Sequence, residues 1–259
     1  MGRGIEFLQY SDAALPVLLL RIRQEARAVK MRLFLFDIDG TLVWAHGAGR
    51  MALTRAMVAV YGTSPAYEDY DTRGKTDPRI VYDVMHAAGV SDDVIYTRLA
   101  SCFEAYARHL DALIDNGHPV QAMPGIPELV GALSTRTDSL VGLLTGNIEA
   151  GARAKLRPTG LLPHFRIGAY GSDDADRRRL PEIARERAQA LTGHEISYDQ
   201  ILVIGDTPLD VDCARACGAQ AIAVATGQHT YDDLACCSPD HLFTDFSDVD
   251  AALSILTQS

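Results

Sequence analysis

Residues 33–41 read LFLFDIDGT, four apolar residues followed by a turn that carries two acids. A continuous apolar run that ends in polar residues is typical of a strand buried on both faces of a parallel sheet. Asp37 and Asp39 lie two positions apart, so on an extended chain their side chains project to the same side. Gly40 then permits a sharp departure from the strand. The stretch predicts a central strand whose carboxyl end presents two carboxylates.

Two later stretches repeat this pattern. Residues 140–144 (LVGLL) end at Thr145, and residues 201–204 (ILVI) end at Gly205 and Asp206. Shorter β-rich runs and helical stretches alternate with them through the second half of the chain, which predicts an α/β fold with a doubly wound parallel sheet. Ligands of such sheets bind at the carboxyl ends of the strands. The polar residues that follow the three runs are therefore expected to meet in space.

Residues 47–118 interrupt the alternation of strands and helices. Helical spacing without a strong strand occurs at residues 49–61, 78–88, 92–100 and 102–114. We therefore expect a helical domain inserted after the first strand, with the sheet domain formed by residues 31–46 and 119–259. Residues 1–30 are expected to be an N-terminal extension, with a packed N-terminal helix as the alternative.

The charge balance limits the classes of partner. Lys and Arg number 24 against 34 Asp and Glu, a net charge of −10, which argues against nucleic acid because little basic surface is left to neutralise phosphates. A few placed cations can still hold a small anionic substrate. No run approaches the ~18 apolar residues that cross a bilayer, so no membrane partner is expected. The five cysteines contain no Cys-x-x-Cys pair, and we expect reduced thiols in a cytoplasmic protein.

The residues at the strand ends suit a metal ion and a phosphate. Asp206 and Asp210 follow the third run, and acids from adjacent strand ends supply the oxygen ligands that hard divalent cations need. Magnesium fits best, because water and substrate can complete its octahedron. Residues 145–147 (TGN) offer a hydroxyl, a glycine N–H and a carboxamide ahead of a helix, which suits an anion; a simple turn and cap is the other interpretation. Residues 176–179 (DRRR) add cations that can reach the same cleft.

These four clusters, in this order, resemble the signature of the haloacid dehalogenase-like superfamily over residues 32–259. The resemblance implies a Rossmann-like core with a helical cap of the C1 type, formed by residues 47–118 and similar to that of phosphoglycolate phosphatase-like members. It also implies that Asp37 is the nucleophile and becomes a phospho-aspartate, while Asp39 acts as general acid and then base.

Further site residues follow from the same resemblance. Thr145 matches the hydroxyl that holds the transferring phosphoryl group, with Gly146 and Asn147 beside it as phosphate-binding groups. The usual lysine of the third motif is absent. An Asp-Arg-x-x-Leu-Pro arrangement favours Arg177 as the replacing cation, with Arg178 as the next candidate.

The resemblance implies Mg²⁺ as the cofactor. Asp37 and Asp206 match its direct carboxylate ligands, and Asp210 matches the supporting acid. The backbone carbonyl of Asp39 is expected to complete the protein ligands.

The implied function is Mg²⁺-dependent hydrolysis of a small phosphorylated metabolite. Dehalogenases of this superfamily lack the carboxylate at the position of Asp39, and mutases carry a cap histidine where this chain has Gly49. Lys75 lies in the sequence RGKTD of the insert and is expected to face the substrate; Asp77 in the same loop is also a good helix N-cap. If Lys75 instead forms a Schiff base, the protein is a phosphonoacetaldehyde-type C–P hydrolase. A non-catalytic phosphate or magnesium sensor is the alternative from another class.

Overall fold

The core of the protein is a parallel sheet of six strands. The computed structural model describes residues 30–63 and 70–258, so the prediction for residues 1–30 lies outside the described part except for its last residue. In chain order the strands are β1 (Arg32–Phe36), β2 (Val43–Trp44), β3 (Gln121–Ala122), β4 (Ser139–Thr145), β5 (Ile167–Tyr170), β6 (Ile201–Gly205), β7 (Gln220–Val224) and β8 (His241–Phe243). The sheet has the order β5-β4-β1-β6-β7-β8 with every neighbouring pair parallel, while β2 and β3 form a separate antiparallel pair.

Helices cover both faces of the sheet. They are α1 (Ala48–Tyr61), α2 (Asp77–Ala87), α3 (Asp92–Asp115), α4 (Ile126–Thr135), α5 (Glu149–Leu156), α6 (Leu180–Thr192), α7 (Pro208–Cys217), α8 (Tyr231–Cys236) and α9 (Val249–Leu256). Phe34 and Phe36 of β1 pack on one face against α4 and α9, whereas Leu33 and Leu35 pack on the other face against α6 and α7. Because successive side chains of a strand point to opposite faces, the apolar run of β1 requires this double covering. The predicted doubly wound α/β fold is confirmed.

The helices α1, α2 and α3, which lie between β2 and β3 in the chain, enclose a separate hydrophobic core. Met57, Met85 and Tyr106 are among its buried side chains, and Ile148 and Ala154 of the sheet domain pack against it. The chain enters the insert just after β2 and leaves it just before β3, so this antiparallel pair holds both crossings together. Helical spacing predicted two helices where α3 is continuous, because no glycine or proline interrupts its 24 residues.

The order of the strands brings the three polar clusters to one edge. β1 lies between β4 and β6, and Phe36, the last residue of β1, pairs with Leu143 on one side and Ile204 on the other. The turns that follow these three strands therefore start at nearly the same height. Within the described part of the chain, none of the helices has the length and apolar character needed to cross a membrane.

The start of α4 depends on Gly125. Its φ is +75°, and a Cβ added there would lie 1.8 Å from the backbone oxygen of Phe246. Gly193, which ends α6, has a similar φ of +71° but open space around it. The pair separates the cost of a left-handed backbone from the cost of a steric clash.

We predict that Gly125→Ala destabilises the protein much more than Gly193→Ala. The left-handed backbone costs about 1–2 kcal/mol in either variant, whereas the clash with a backbone that cannot move away adds about 1–3 kcal/mol at position 125 alone. Urea unfolding of the two variants measures the difference. Equal losses in the free energy of unfolding would contradict the close approach of these two segments.

Candidate active site

Asp37 is held at the end of β1 by the neighbouring strand. Its backbone N–H donates to the carbonyl of Ile204 in β6 at 2.9 Å, and its side chain is buried. The turn that follows is tight: Gly40 has φ of +83°, and a Cβ there would lie 2.4 Å from Oδ2 of Asp206. Only glycine allows this turn to bring the first motif against the acids that follow β6.

Three buried acids meet at this edge. Oxygen atoms of Asp37, Asp206 and Asp210 lie within 4.8 Å of one another. Burial raises the pKa of Asp206 well above its ordinary value, and the charges of Asp210 and Asp37 raise it further. Burial likewise raises the pKa of Asp37 to about 6, although nearby Arg177 acts in the opposite direction. Such a set of oxygen donors suits a divalent cation, which would offset the repulsion between the carboxylates.

The local sequence fixes two of these acids. Asp206 accepts a hydrogen bond of 3.1 Å from the hydroxyl of Thr41. Oδ2 of Asp210 accepts from the backbone N–H of Thr207 at 3.0 Å and from its hydroxyl at 2.7 Å, a capping box at the start of α7. Asp210 therefore uses one oxygen for its own helix, which suits a supporting role, while Asp206 keeps Oδ2 for a ligand.

Arg177 is the cation of the cluster. Its Nη2 lies 3.2 Å from Oδ1 of Asp37 and also donates to Oδ1 of Asp210. Burial by itself lowers the pKa of this guanidinium, but the two adjacent carboxylates raise it above its ordinary value. Arg178 is exposed and pairs with Asp176, because Asp176 caps the short helical turn Arg177–Arg179 and its side chain holds Arg178 outward. The structure thus brings Arg177, and not Arg178, to the carboxylates.

The residues that follow β4 form the opposite wall. Thr145 is fully buried, and the Asn147 amide nitrogen Nδ2 donates to its hydroxyl at 2.8 Å and to Oδ2 of Asp39 at 2.9 Å. A Cβ on Gly146 would lie 2.1 Å from the backbone oxygen of Lys75. The glycine of this motif therefore serves the close approach of the insert, besides the anion site inferred from the sequence.

The loop before α2 docks on these residues. Thr76 rather than Asp77 is the N-cap of α2. Asp77 is buried, accepts a 2.8 Å hydrogen bond from the backbone N–H of Ile148, and has a pKa that burial raises to about 6. Lys75 lines the cleft, with its Nζ 4.0 Å from the centroid of the Tyr70 ring. Together the insert and the strand ends enclose a cleft of about 240 Å³.

The family follows from a comparison with known proteins. The model of haloacid dehalogenase-like hydrolases matches residues 31–218. The chain belongs to this family. It is 31% identical over 201 residues to a phosphoglycolate phosphatase of Rhodospirillum rubrum, covering 74% of this chain and 79% of that protein. It is 28% identical over 229 residues to a phosphoglycolate phosphatase of Synechococcus elongatus, covering 87% and 99%.

Solved structures of other proteins share the fold. A hydrolase from Pseudomonas syringae superposes with a TM-score of 0.66 at 21% identity, covering 88% of this chain and all of that one (100%). A predicted phosphoglycolate phosphatase from Haemophilus somnus superposes with a TM-score of 0.61 at 18% identity, covering 87% and 99%. The family model confirms the resemblance to haloacid dehalogenase-like hydrolases, and the protein is a hydrolase.

Sequence reasoning missed one buried residue of this hydrolase. Lys155 of α5 is 3% exposed, and its Nζ lies 2.5 Å from Oδ2 of Asp39 and 2.6 Å from Oδ1 of Asn147. Two signals point to it in retrospect. It is one of three lysines in the chain, and it lies eight residues after Asn147, on the helix that follows residues 145–147.

We predict that Arg177→Met lowers kcat/KM for phosphate esters at least a hundredfold, while Arg178→Met changes it less than threefold. Arg177 faces two carboxylates and would also offset the charge of a phosphate bound beside them. A cation that clamps a transferring phosphoryl group is worth orders of magnitude in rate. Arg178 is the adjacent arginine and makes a surface ion pair worth at most about 1 kcal/mol. Steady-state kinetics of the two purified variants is the measurement, and similar losses in both would contradict the assignment of Arg177.

Proposed function

We propose that the protein hydrolyses a small-molecule phosphate monoester with Mg²⁺ and through a phospho-aspartate on Asp37. One observation carries the proposal: Asp37 lies within 4.8 Å of Asp206 and Asp210 and within 3.2 Å of Arg177. A carboxylate nucleophile, oxygen ligands and a cation at one edge are the set that transfer of a phosphoryl group to an acid requires.

The proposed chemistry has two steps. A carboxylate oxygen of Asp37 attacks phosphorus, the ester P–O bond breaks, and Asp39 gives its proton to the leaving alkoxide. Water then attacks the phospho-aspartate, Asp39 takes the proton of that water, and the bond between phosphorus and Asp37 breaks to release phosphate. Asp39 serves as acid and then as base, so the cycle returns both residues to their starting state.

The residues at the edge fit a magnesium ion. Asp37, Asp206 and the backbone carbonyl of Asp39 would hold it, with Asp210 fixed behind them by Thr207. Bound there, Mg²⁺ would offset the negative charge shared by the phosphate and the carboxylates. Two glycines support this fit. A Cβ on Gly40 would lie 2.4 Å from Oδ2 of Asp206, a Cβ on Gly227 would lie 1.7 Å from the same oxygen, and either would fill the space beside it.

The insert is proposed to be the cap that selects the substrate. Described residues of the insert line the cleft together with the strand ends. Lys75 brings a positive charge to the cleft, and its backbone oxygen lies against Gly146. Thr145, Gly146 and Asn147 would hold the phosphate. The relatives named phosphoglycolate phosphatase favour a short phosphorylated metabolite, with phosphoglycolate as the first compound to assay.

We predict that Asp37→Asn abolishes turnover and leaves the fold intact. The amide keeps the shape of the side chain but is a poor nucleophile, and loss of a covalent nucleophile costs about 10⁴-fold or more in rate. Two measurements should distinguish wild type from Asp37→Asn. The first is trapping with fluoroberyllate, read by mass spectrometry, and the second is turnover of a panel of phosphorylated metabolites. Asp93→Asn, on an exposed position of α3, is the matched control and should behave as wild type. Activity of Asp37→Asn within tenfold of wild type would contradict the assignment of Asp37 as the nucleophile.

We also predict that excess EDTA removes the activity and that Mg²⁺ restores it, whereas Ca²⁺ does not, because Ca²⁺ takes more ligands at longer distances. Mg²⁺ should in addition raise the melting temperature, since it binds the folded protein and not the unfolded chain. Asp206→Asn should lose that thermal shift, while Asp212→Asn, an exposed acid on α7, should retain it. An unchanged rate in EDTA would exclude the metal role.

A further inference from the structure

The buried ammonium of Lys155 makes an ion pair with Asp39 that the proposed mechanism does not yet use. Its side chain is 4% exposed and lies 2.5 Å from an oxygen of Asp39, whose own side chain is 47% exposed. A buried ammonium is costly unless it is paired and hydrogen-bonded. Here it contacts two acceptors, Oδ2 of Asp39 and Oδ1 of Asn147. Both hydrogen bonds of the ammonium therefore go to residues that line the cleft, Asp39 and Asn147.

We propose that Lys155 is a positioning residue that fixes the carboxyl group of Asp39 for proton transfer. The inference rests on the proposed function, in which Asp39 is the acid and base. The two-step chemistry proposed above requires neither the ammonium of Lys155 nor the space that Gly49 leaves for it.

The hydrogen bonds define one orientation of Asp39. Lys155 Nζ and Asn147 Nδ2 both donate to Oδ2, at 2.5 and 2.9 Å. Among the described residues no hydrogen bond involves Oδ1 of Asp39, which leaves that oxygen to exchange a proton with the leaving group and with water. Asn147 is itself held by Lys155 and by the hydroxyl of Thr145. Loss of Lys155 removes a donor from Asp39 and also loosens the amide that supplies the second donor.

Gly49 of α1 makes room for the ammonium. A Cβ on Gly49 would lie 2.9 Å from Nζ of Lys155 and 3.2 Å from its Cε. The atoms in the way are the far end of a flexible side chain, so an added methyl group would displace the ammonium rather than the helix. The absence of a side chain at Gly49 therefore leaves the space that the ammonium of Lys155 occupies.

The leaving group distinguishes positioning of an acid from binding of phosphate. An alkyl phosphate needs protonation of its alkoxide, whereas an aryl phosphate with an acidic phenol does not. In rapid-quench experiments, Lys155→Met should slow formation of the phosphoenzyme at least tenfold with the alkyl ester and less than threefold with the aryl ester. The dissociation constant of each ester, taken from how the rate of phosphoenzyme formation depends on ester concentration, should stay within about twofold. The aryl ester should also give a burst of phenol, because hydrolysis of the phospho-aspartate still needs Asp39. Arg153→Met, an exposed cation on the same helix, is the control and should match wild type.

Gly49→Ala tests the same role without substituting Lys155. Alanine favours a helix more than glycine does, so the melting temperature should not fall, yet the alkyl ester should react at least tenfold more slowly. The double variant Gly49→Ala/Lys155→Met should be less than threefold slower than Lys155→Met alone, because both changes act through one ammonium. Additive losses, or equal slowing of both esters with a raised dissociation constant, would overturn the positioning role.

The ion pair can be observed without turnover. The chain has three lysines, so ¹⁵N-lysine NMR should show the slowly exchanging ammonium of Lys155, and Asp39→Asn should shift it while Lys75→Ala should not. No shift would overturn the contact. Wild type that hydrolyses no phosphate ester would overturn the proposed function and this role with it. Active wild type with Lys155→Met indistinguishable from Arg153→Met would overturn this role alone.

Discussion

Repulsion among buried carboxylates at the carboxyl edge of the sheet is the constraint that organises this protein. Asp37, Asp206 and Asp210 come within 4.8 Å of one another, and burial makes their charges more costly than in water. The buried guanidinium of Arg177 offsets part of this repulsion, and Thr41 and Thr207 donate hydrogen bonds to Asp206 and Asp210. The carboxylate oxygens also form a set of ligands that fits Mg²⁺.

The insert is coupled to this edge by direct contacts. Thr76 donates to the backbone oxygen of Ala175 at 2.8 Å, Asp77 accepts from the backbone of Ile148, and Arg177 Nη1 donates to the backbone oxygen of Gly74 at 3.1 Å. The loop 72–77 therefore rests on residues that follow β4 and on the cation of the acid cluster. A change at these contacts would alter both the closure of the cleft and the charge balance of the site.

The fold and most of the candidate site were accessible from the sequence because they depend on local patterns. The apolar run before Asp37 predicted a central strand, and strand alternation predicted the sheet whose parallel order places Asp206 beside it. The sequence favoured Arg177 over Arg178 only through the family resemblance, because both follow Asp176 in an arginine run. Only the short helical turn at Asp176 directs one guanidinium inward and the other to solvent.

The sequence by itself determined the fold class, the family and the positions of the acids, since each of these is a short-range pattern of residue type and spacing. Tertiary structure alone decided the neighbours of Asp39. Lys155 is 116 residues from Asp39 in the chain and lies on a helix whose spacing says nothing of an active site. Its ammonium reaches Asp39 because α5 packs under the insert and Gly49 leaves the space open. Contacts of this kind depend on how separate elements pack, so the rarity of lysine and its closeness to Asn147 in the sequence could single out Lys155 without identifying its partner Asp39.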